Sequence, residues 1–162
     1  MMQQEKFHYA EEELSKQYRL DKMYMQIAVL HSMRSRAQRK KVGAVIVTPQ
    51  QVMLGGWNGT PPGWDNVCET LDNSGNLTTK SCVIHAEENC LTKAAREGVS
   101  VVGSVLYVTL PPCQHCAAKI HASGIIRVVY LDEYISQTHG SGTKDLQDHG
   151  VIVEKFSKLK YI

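Results

Sequence analysis

Val105-Leu106-Tyr107-Val108-Thr109-Leu110-Pro111-Pro112-Cys113-Gln114-His115-Cys116 is the stretch on which the fold turns. Residues 105–110 form a short apolar run with β-branched and aromatic side chains, which reads as a buried strand. Pro111 and Pro112 end it, because proline cannot donate to a sheet ladder. Residues 113–123 then read as a helix that Gly124 closes, and residues 125–130 supply a second apolar strand. A strand, a helix and a strand in one crossover place the two strands parallel.

Working outward, Ile84, Leu91, Ala94 and Ala95 mark one face of an earlier helix that should end near Gly98. Residues 42–48 and 52–56, joined through Pro49-Gln50-Gln51, suggest a hairpin, and residues 57–80 read as a long polar loop. Upstream, Asp21 is a plausible N-cap for a helix to about residue 35, with Met23, Ile27, Leu30 and Arg34 on its stripe and Ala28 widening it. Residues 144–149 suggest a short helix closed by Gly150, and residues 151–156 a last strand. Two crossovers plus a hairpin imply a five-stranded mixed sheet in a three-layer α/β/α sandwich.

The chain of 162 residues carries 18 Lys and Arg against 16 Asp and Glu, with 43% hydrophobic and 21% charged residues. These are ordinary globular values, and a single domain over residues 1–162 is expected, with residues 1–20 as a polar extension. Its apolar runs fall short of the roughly 20 residues that a membrane helix needs. The start shows no basic segment followed by an apolar run, so we expect a cytoplasmic protein that does not engage membranes. A net charge of +2 gives no strong electrostatic case for nucleic acid. Five cysteines without an export signal point to metal ligation or burial rather than disulfides.

His85-Ala86-Glu87 opens one helix, and Pro112-Cys113-Gln114-His115-Cys116 opens the next. Cys113 and Cys116 are three apart, so their sulfurs can grip one ion, and free amides at a helix start favour thiolates. His85 completes a three-ligand set for one zinc per chain. A catalytic zinc keeps its fourth position for water, whereas a structural one would recruit His115, Cys82 or Cys90. Glu87 is badly placed to join His85 on the metal but can take a proton from that water.

These motifs resemble those of the cytidine deaminase superfamily, over nearly the whole chain after residue 21, and within it the deoxycytidylate (dCMP) deaminases of bacteriophages. The resemblance rests on H-A-E with P-C-x-x-C, and on residues 42–47, Gly56-Trp57-Asn58-Gly59-Thr60-Pro61, Val83-Ile84-His85-Ala86-Glu87-Glu88-Asn89 and Tyr107-Val108-Thr109-Leu110. It implies hydrolytic deamination of dCMP to dUMP, with His85, Cys113 and Cys116 on zinc and Glu87 passing protons to the ring nitrogen and then to departing ammonia. It further implies Asn58 and the Ala86 backbone at the nucleotide, and Tyr134 near the phosphate. Arg34, eight residues before Val42, is expected to contact that phosphate. The family resemblance also implies a homo-oligomer, commonly a hexamer, activated by dCTP with magnesium and inhibited by dTTP, with Trp57, Asn58 and Gly59 at the effector.

Some features depart from the pattern. Trp57 stands where the family usually has tyrosine, and Cys90 where it usually has alanine. Some phage relatives carry a second zinc before the H-A-E motif; here that segment holds Cys68 and no histidine, and Cys68, Cys82 and Cys90 are expected not to be ligands. Five of the eight residues 34–41 are basic and read mostly as a solvated loop. His31, His121, His139 and His149 read as surface or helix-end residues. The alternative functions are a bifunctional dCMP/dCTP deaminase and a nucleic-acid deaminase of the tRNA adenosine type. A non-catalytic zinc protein would have no need of Glu87.

Overall fold

In the computed structural model, residues 2–134 and 140–156 are described, with side chains from residue 16 onward. The central sheet has the order β2-β1-β5-β6-β7, built from β1 (Gly43–Val47), β2 (Met53–Trp57), β5 (Val105–Val108), β6 (Arg127–Tyr130) and β7 (Ile152–Lys155). Strand β1 is antiparallel to both β2 and β5, while β5, β6 and β7 run parallel, so the sheet is mixed as expected. Helices α2 (Ala86–Glu97) and α3 (Gln114–Ala122) precede β5 and β6, and α4 (Thr143–Asp148) precedes β7. Helix α1 (Met2–Ser32) covers the opposite face.

Because strand side chains alternate, the sheet feeds two cores. Val45, Val47, Tyr107 and Val129 pack with Tyr24, Met25 and Ala28 of α1. Ala44, Ile46, Leu106, Val108 and Val128 pack with Ala86, Cys90, Ala94, Cys116, Ile120 and Leu146 from the other helices. Both faces are therefore buried, which is why residues 105–108 and 128–130 read as continuous apolar runs. Gly43 lets α1 sit directly on β1: a Cβ there would fall on the Ala28 carbonyl oxygen and the Ser32 main chain. Among the described residues, no helix is long and apolar enough to cross a membrane.

Three expectations need correction. Asp21 is not a cap but lies inside α1, which is continuous from Met2. The buried face is Asp21, Tyr24, Met25 and Ala28, while Met23 and Leu30 are exposed. A carboxylate reads as a surface residue, so the apolar pattern is drawn to the wrong phase; the charge is buried because Arg127 of β6 meets it. The third correction concerns residues 57–80, which are not all loop: β3 (Glu69–Leu71) pairs with β4 (Leu77–Thr79) in a separate antiparallel hairpin. Its turn is held by Asp72 Oδ1, which accepts the main-chain N–H groups of Ser74 and Asn76 at 2.9 and 2.8 Å. His139 lies outside the described residues, as do the final residues 157–162.

The Asp21 contact ties α1 to the sheet. Arg127 donates Nη1 and Nη2 to the two carboxylate oxygens at 2.8 and 2.6 Å, and Tyr107 Oη and Gln17 Nε2 donate to Oδ1 at 2.7 and 2.8 Å. Arg127 Nε also donates to Glu154 at 2.8 Å. Burial alone would raise the Asp21 pKa, but these donors outweigh it and hold the carboxyl below its usual value. Its stabilisation is therefore complete above the unfolded-state value near 3.9 and is lost as pH falls through the lower folded-state value. Asp21→Ala should cost about 3 kcal/mol, the low end for breaking a buried pair, because it removes one of the two carboxylates that Arg127 meets and leaves Glu154 as the other. Asp21→Asn should flatten the acid limb of the stability curve, and urea unfolding between about pH 2 and pH 7 measures both effects.

Candidate active site

The site forms where the starts of α2 and α3 meet. His85 is the N-cap of α2 and Cys113 the N-cap of α3, both with extended backbone. Helix α2 is fixed in front of β2 by main-chain pairing of Gly59 with Ile84 and by Asn89 Nδ2 donating to the Trp57 carbonyl at 2.8 Å. Gly56 permits the close approach, since a Cβ there would stand 2.6 Å from the Ala86 carbonyl oxygen. Helix α3 is placed by the turn from β5 through Pro111 and Pro112. An ion pair between Lys119 and Glu88, 2.5 Å apart, links the two helices on the outside.

His85 Nδ1 lies 3.6 Å from Cys113 Sγ and 3.4 Å from Cys116 Sγ. The three ligand atoms lie within 4.8 Å of one another, and among the described residues they are the only such group. Cys82, Cys90 and His115 do not join it, and Cys68 and Cys90 are buried elsewhere, so among the described residues no fourth protein ligand is supplied. The hydrogen bond from Cys116 lowers the Cys113 pKa to about 3, with a further contribution from His85, while the same contact and burial push Cys116 up. His85 is held above the usual imidazole value, first by its bond to Cys113. Two sulfurs with one imidazole suit zinc, which takes a fourth ligand from water where the protein supplies three.

Glu87, 4% exposed, sits beside this cluster without belonging to it. Burial raises its pKa to about 7, against opposing effects from its own main-chain N–H and His85. A carboxyl in that range can both take and give a proton near neutrality.

His85, Ala86, Glu87 and Cys113 floor a cleft of about 520 Å³, a size suited to a small molecule. Asn58 and Tyr134 also line it. Most of the Asn58 amide is committed to the protein: Oδ1 accepts the Val42 N–H at 2.8 Å and Nδ2 donates to the Lys40 carbonyl at 2.9 Å. One Nδ2 hydrogen is left for a ligand. Arg34 does not line the cleft. It lies past the end of α1 with its guanidinium 4.1 Å from the centroid of the Trp57 ring, a cation–π contact that turns it away. Lys93 lies over the same ring at 4.5 Å, and His31, expected at the surface, is partly buried and stacked on it at 6.0 Å.

The cations that do line the cleft are Arg39, Lys40 and Lys80. The sequence reading missed Glu69, Thr78, Thr79, Lys80 and Ser81, which the β3–β4 hairpin brings to one wall. The available signal was the turn Asp72-Asn73-Ser74-Gly75 inside a polar stretch.

Residues 18–132 match the cytidine and deoxycytidylate deaminase zinc-binding region. The chain is similar to the deoxycytidylate deaminase of Schizosaccharomyces pombe, with 34% identity over 84% of this chain and 44% of that protein, so it spans under half the yeast protein's length. It is also 34% identical to the deoxycytidylate deaminase of Enterobacteria phage T4, over 68% of this chain and 76% of the phage protein. The crystal structure of the dCMP deaminase from cyanophage S-TIM5, in complex with dCMP and dUMP, superposes with a TM-score of 0.75 at 40% identity, covering 85% of this chain and 96% of that one. With that zinc-binding region matched over residues 18–132 and a His-Cys-Cys group inside it, the chain belongs to the cytidine and deoxycytidylate deaminase family.

Proposed function

We propose that the protein catalyses hydrolytic deamination of dCMP to dUMP, in which C4 of cytosine exchanges its amino group for oxygen and ammonia leaves. The observation that carries this reading is that Glu87 shares the cleft floor with the three-ligand cluster without being one of the ligands. Likeness to a cyanophage enzyme crystallised with dCMP and dUMP supports the choice of nucleotide. Zinc held by His85, Cys113 and Cys116 would supply an activated water at that floor. Glu87 would take one proton from the water and give it to N3 as the water oxygen bonds to C4, then take the second proton from the new C4 hydroxyl and give it to the amino group as the C4–N bond breaks and ammonia leaves. The remaining Asn58 hydrogen and the Ala86 main chain would hold the nucleotide, with Tyr134 of the cleft lining near its phosphate.

The resemblance further suggests a homohexamer that dCTP with magnesium activates and dTTP inhibits, through Trp57, Asn58 and Gly59. In support, the Trp57 ring is flanked by the cations Arg34 and Lys93, with His31 stacked on it and held below the usual imidazole value by burial and by those two charges. Lys93 is held below its usual pKa, first by burial and then by Arg34, as expected of crowded cations.

Elemental analysis should find about one zinc per chain, and His85→Ala, Cys113→Ser or Cys116→Ser should lose metal and activity together. Active protein free of metal would overturn the mechanism. Glu87→Gln should keep its zinc while turnover falls at least 10²- to 10⁴-fold, the range typical of a general acid or base. Near-normal turnover would mean that another group moves the proton. Assays against dCMP, dCTP, deoxycytidine and adenosine-containing tRNA decide the substrate. A dCMP saturation curve with and without dCTP and magnesium, beside sedimentation, decides regulation and assembly.

A further inference from the structure

The five basic residues of the segment 34–41 repel one another, and a free loop would spread them into solvent. Instead, the main chain of this segment is tied down from beneath. Ser35 Oγ donates to the Asn58 carbonyl at 2.8 Å and accepts the Ala37 N–H at 3.2 Å. Asn58 clamps residues 40 and 42. Between these ties, Glu69 Oε1 accepts the N–H groups of Gln38 at 3.0 Å and Arg39 at 3.3 Å. Glu69 is 6% exposed and comes from the hairpin, 30 residues further along the chain from Arg39.

We propose that Glu69 is a positioning residue for phosphate recognition: it holds the segment so that Arg39 and Lys40, with Lys80 opposite, present their charges at the cleft mouth. The inference rests on the nucleotide reading above and assigns the phosphate to these residues in place of Arg34. Each cation is braced by a weak contact that leaves it available. Arg39 Nη1 donates to Thr79 Oγ1 at 3.2 Å, and Lys40 Nζ lies 5.3 Å from the centroid of the Tyr134 ring. Lys80 Nζ is 3.4 Å from the exposed Asp65 carboxylate, a pairing of little energetic worth. Arg39, Lys40 and Lys80 stand at the mouth and wall of the cleft, against the carboxylates of Glu69 beneath the wall and Glu87 at the floor. A phosphate monoester carries about −1.5 to −2 at pH 7 and is drawn to that set of cations. Free deoxycytidine gains nothing from it.

The test compares dCMP with deoxycytidine as substrates of the zinc-loaded enzyme. Glu69→Ala should raise KM for dCMP by about tenfold or more, the scale of one lost charge-assisted contact, with kcat within about twofold. Deoxycytidine turnover should be unchanged. Glu69→Gln keeps a carbonyl oxygen for both N–H groups and should restore the KM for dCMP. Equal losses on the two substrates, or no rescue by Gln, would overturn the proposal and leave Glu69 a purely structural residue. If Glu69→Ala does not fold, Arg39→Ala with Lys40→Ala carries the test, because both side chains are exposed; an unchanged KM for dCMP in that variant overturns it. A wild-type enzyme that treats dCMP and deoxycytidine alike would instead overturn the nucleotide reading itself.

Discussion

Everything chemical in this protein depends on two helices beginning at the same point in space. The first residues of α2 and α3 supply imidazole, two thiols and a carboxyl within a few ångströms, and each helix start adds unpaired N–H groups that favour negative charge. The sheet makes this meeting possible. Strand β5 is central and delivers α3 at its end, while β2, one strand beyond β1, carries the glycine against which α2 packs. A bulkier residue at Gly56 would displace His85 along with the helix it caps.

The three-layer architecture was legible because both faces of the sheet are covered at its centre, so β1 and β5 had to be apolar throughout. The metal cluster was legible for a related reason. Ligands that sit at helix starts keep a fixed spacing along the chain, and Cys113 with Cys116 needs only one helical turn. What could not be read was long-range and polar. Asp21 pairs with Arg127 across the sheet, and nothing near either residue announces the other. The stripe on α1 was misplaced for the same reason: a buried, neutralised charge counts as core, and residue type alone counts it as surface.

The cations show the limit most plainly. Arg34 and Arg39 lie in one basic run, and spacing favoured Arg34. Their fates are set by what each meets after the chain turns: the face of Trp57 for one, and a carboxylate from a distant hairpin beneath the backbone of the other. Neither partner is local in sequence.

The hairpin that supplies Glu69 is not part of the central sheet; it forms its own two-stranded unit beside the cleft. Its strands are only three residues each, and its turn is closed by side chains of its own. The His85-Cys113-Cys116 cluster with Glu87 and the wall beside it therefore belong to different structural modules. Residues of the wall can be exchanged, or the turn lengthened, without disturbing a single strand on which that cluster depends. Under the proposed function, such a division makes selectivity evolvable at constant chemistry: one floor can be fitted with different walls.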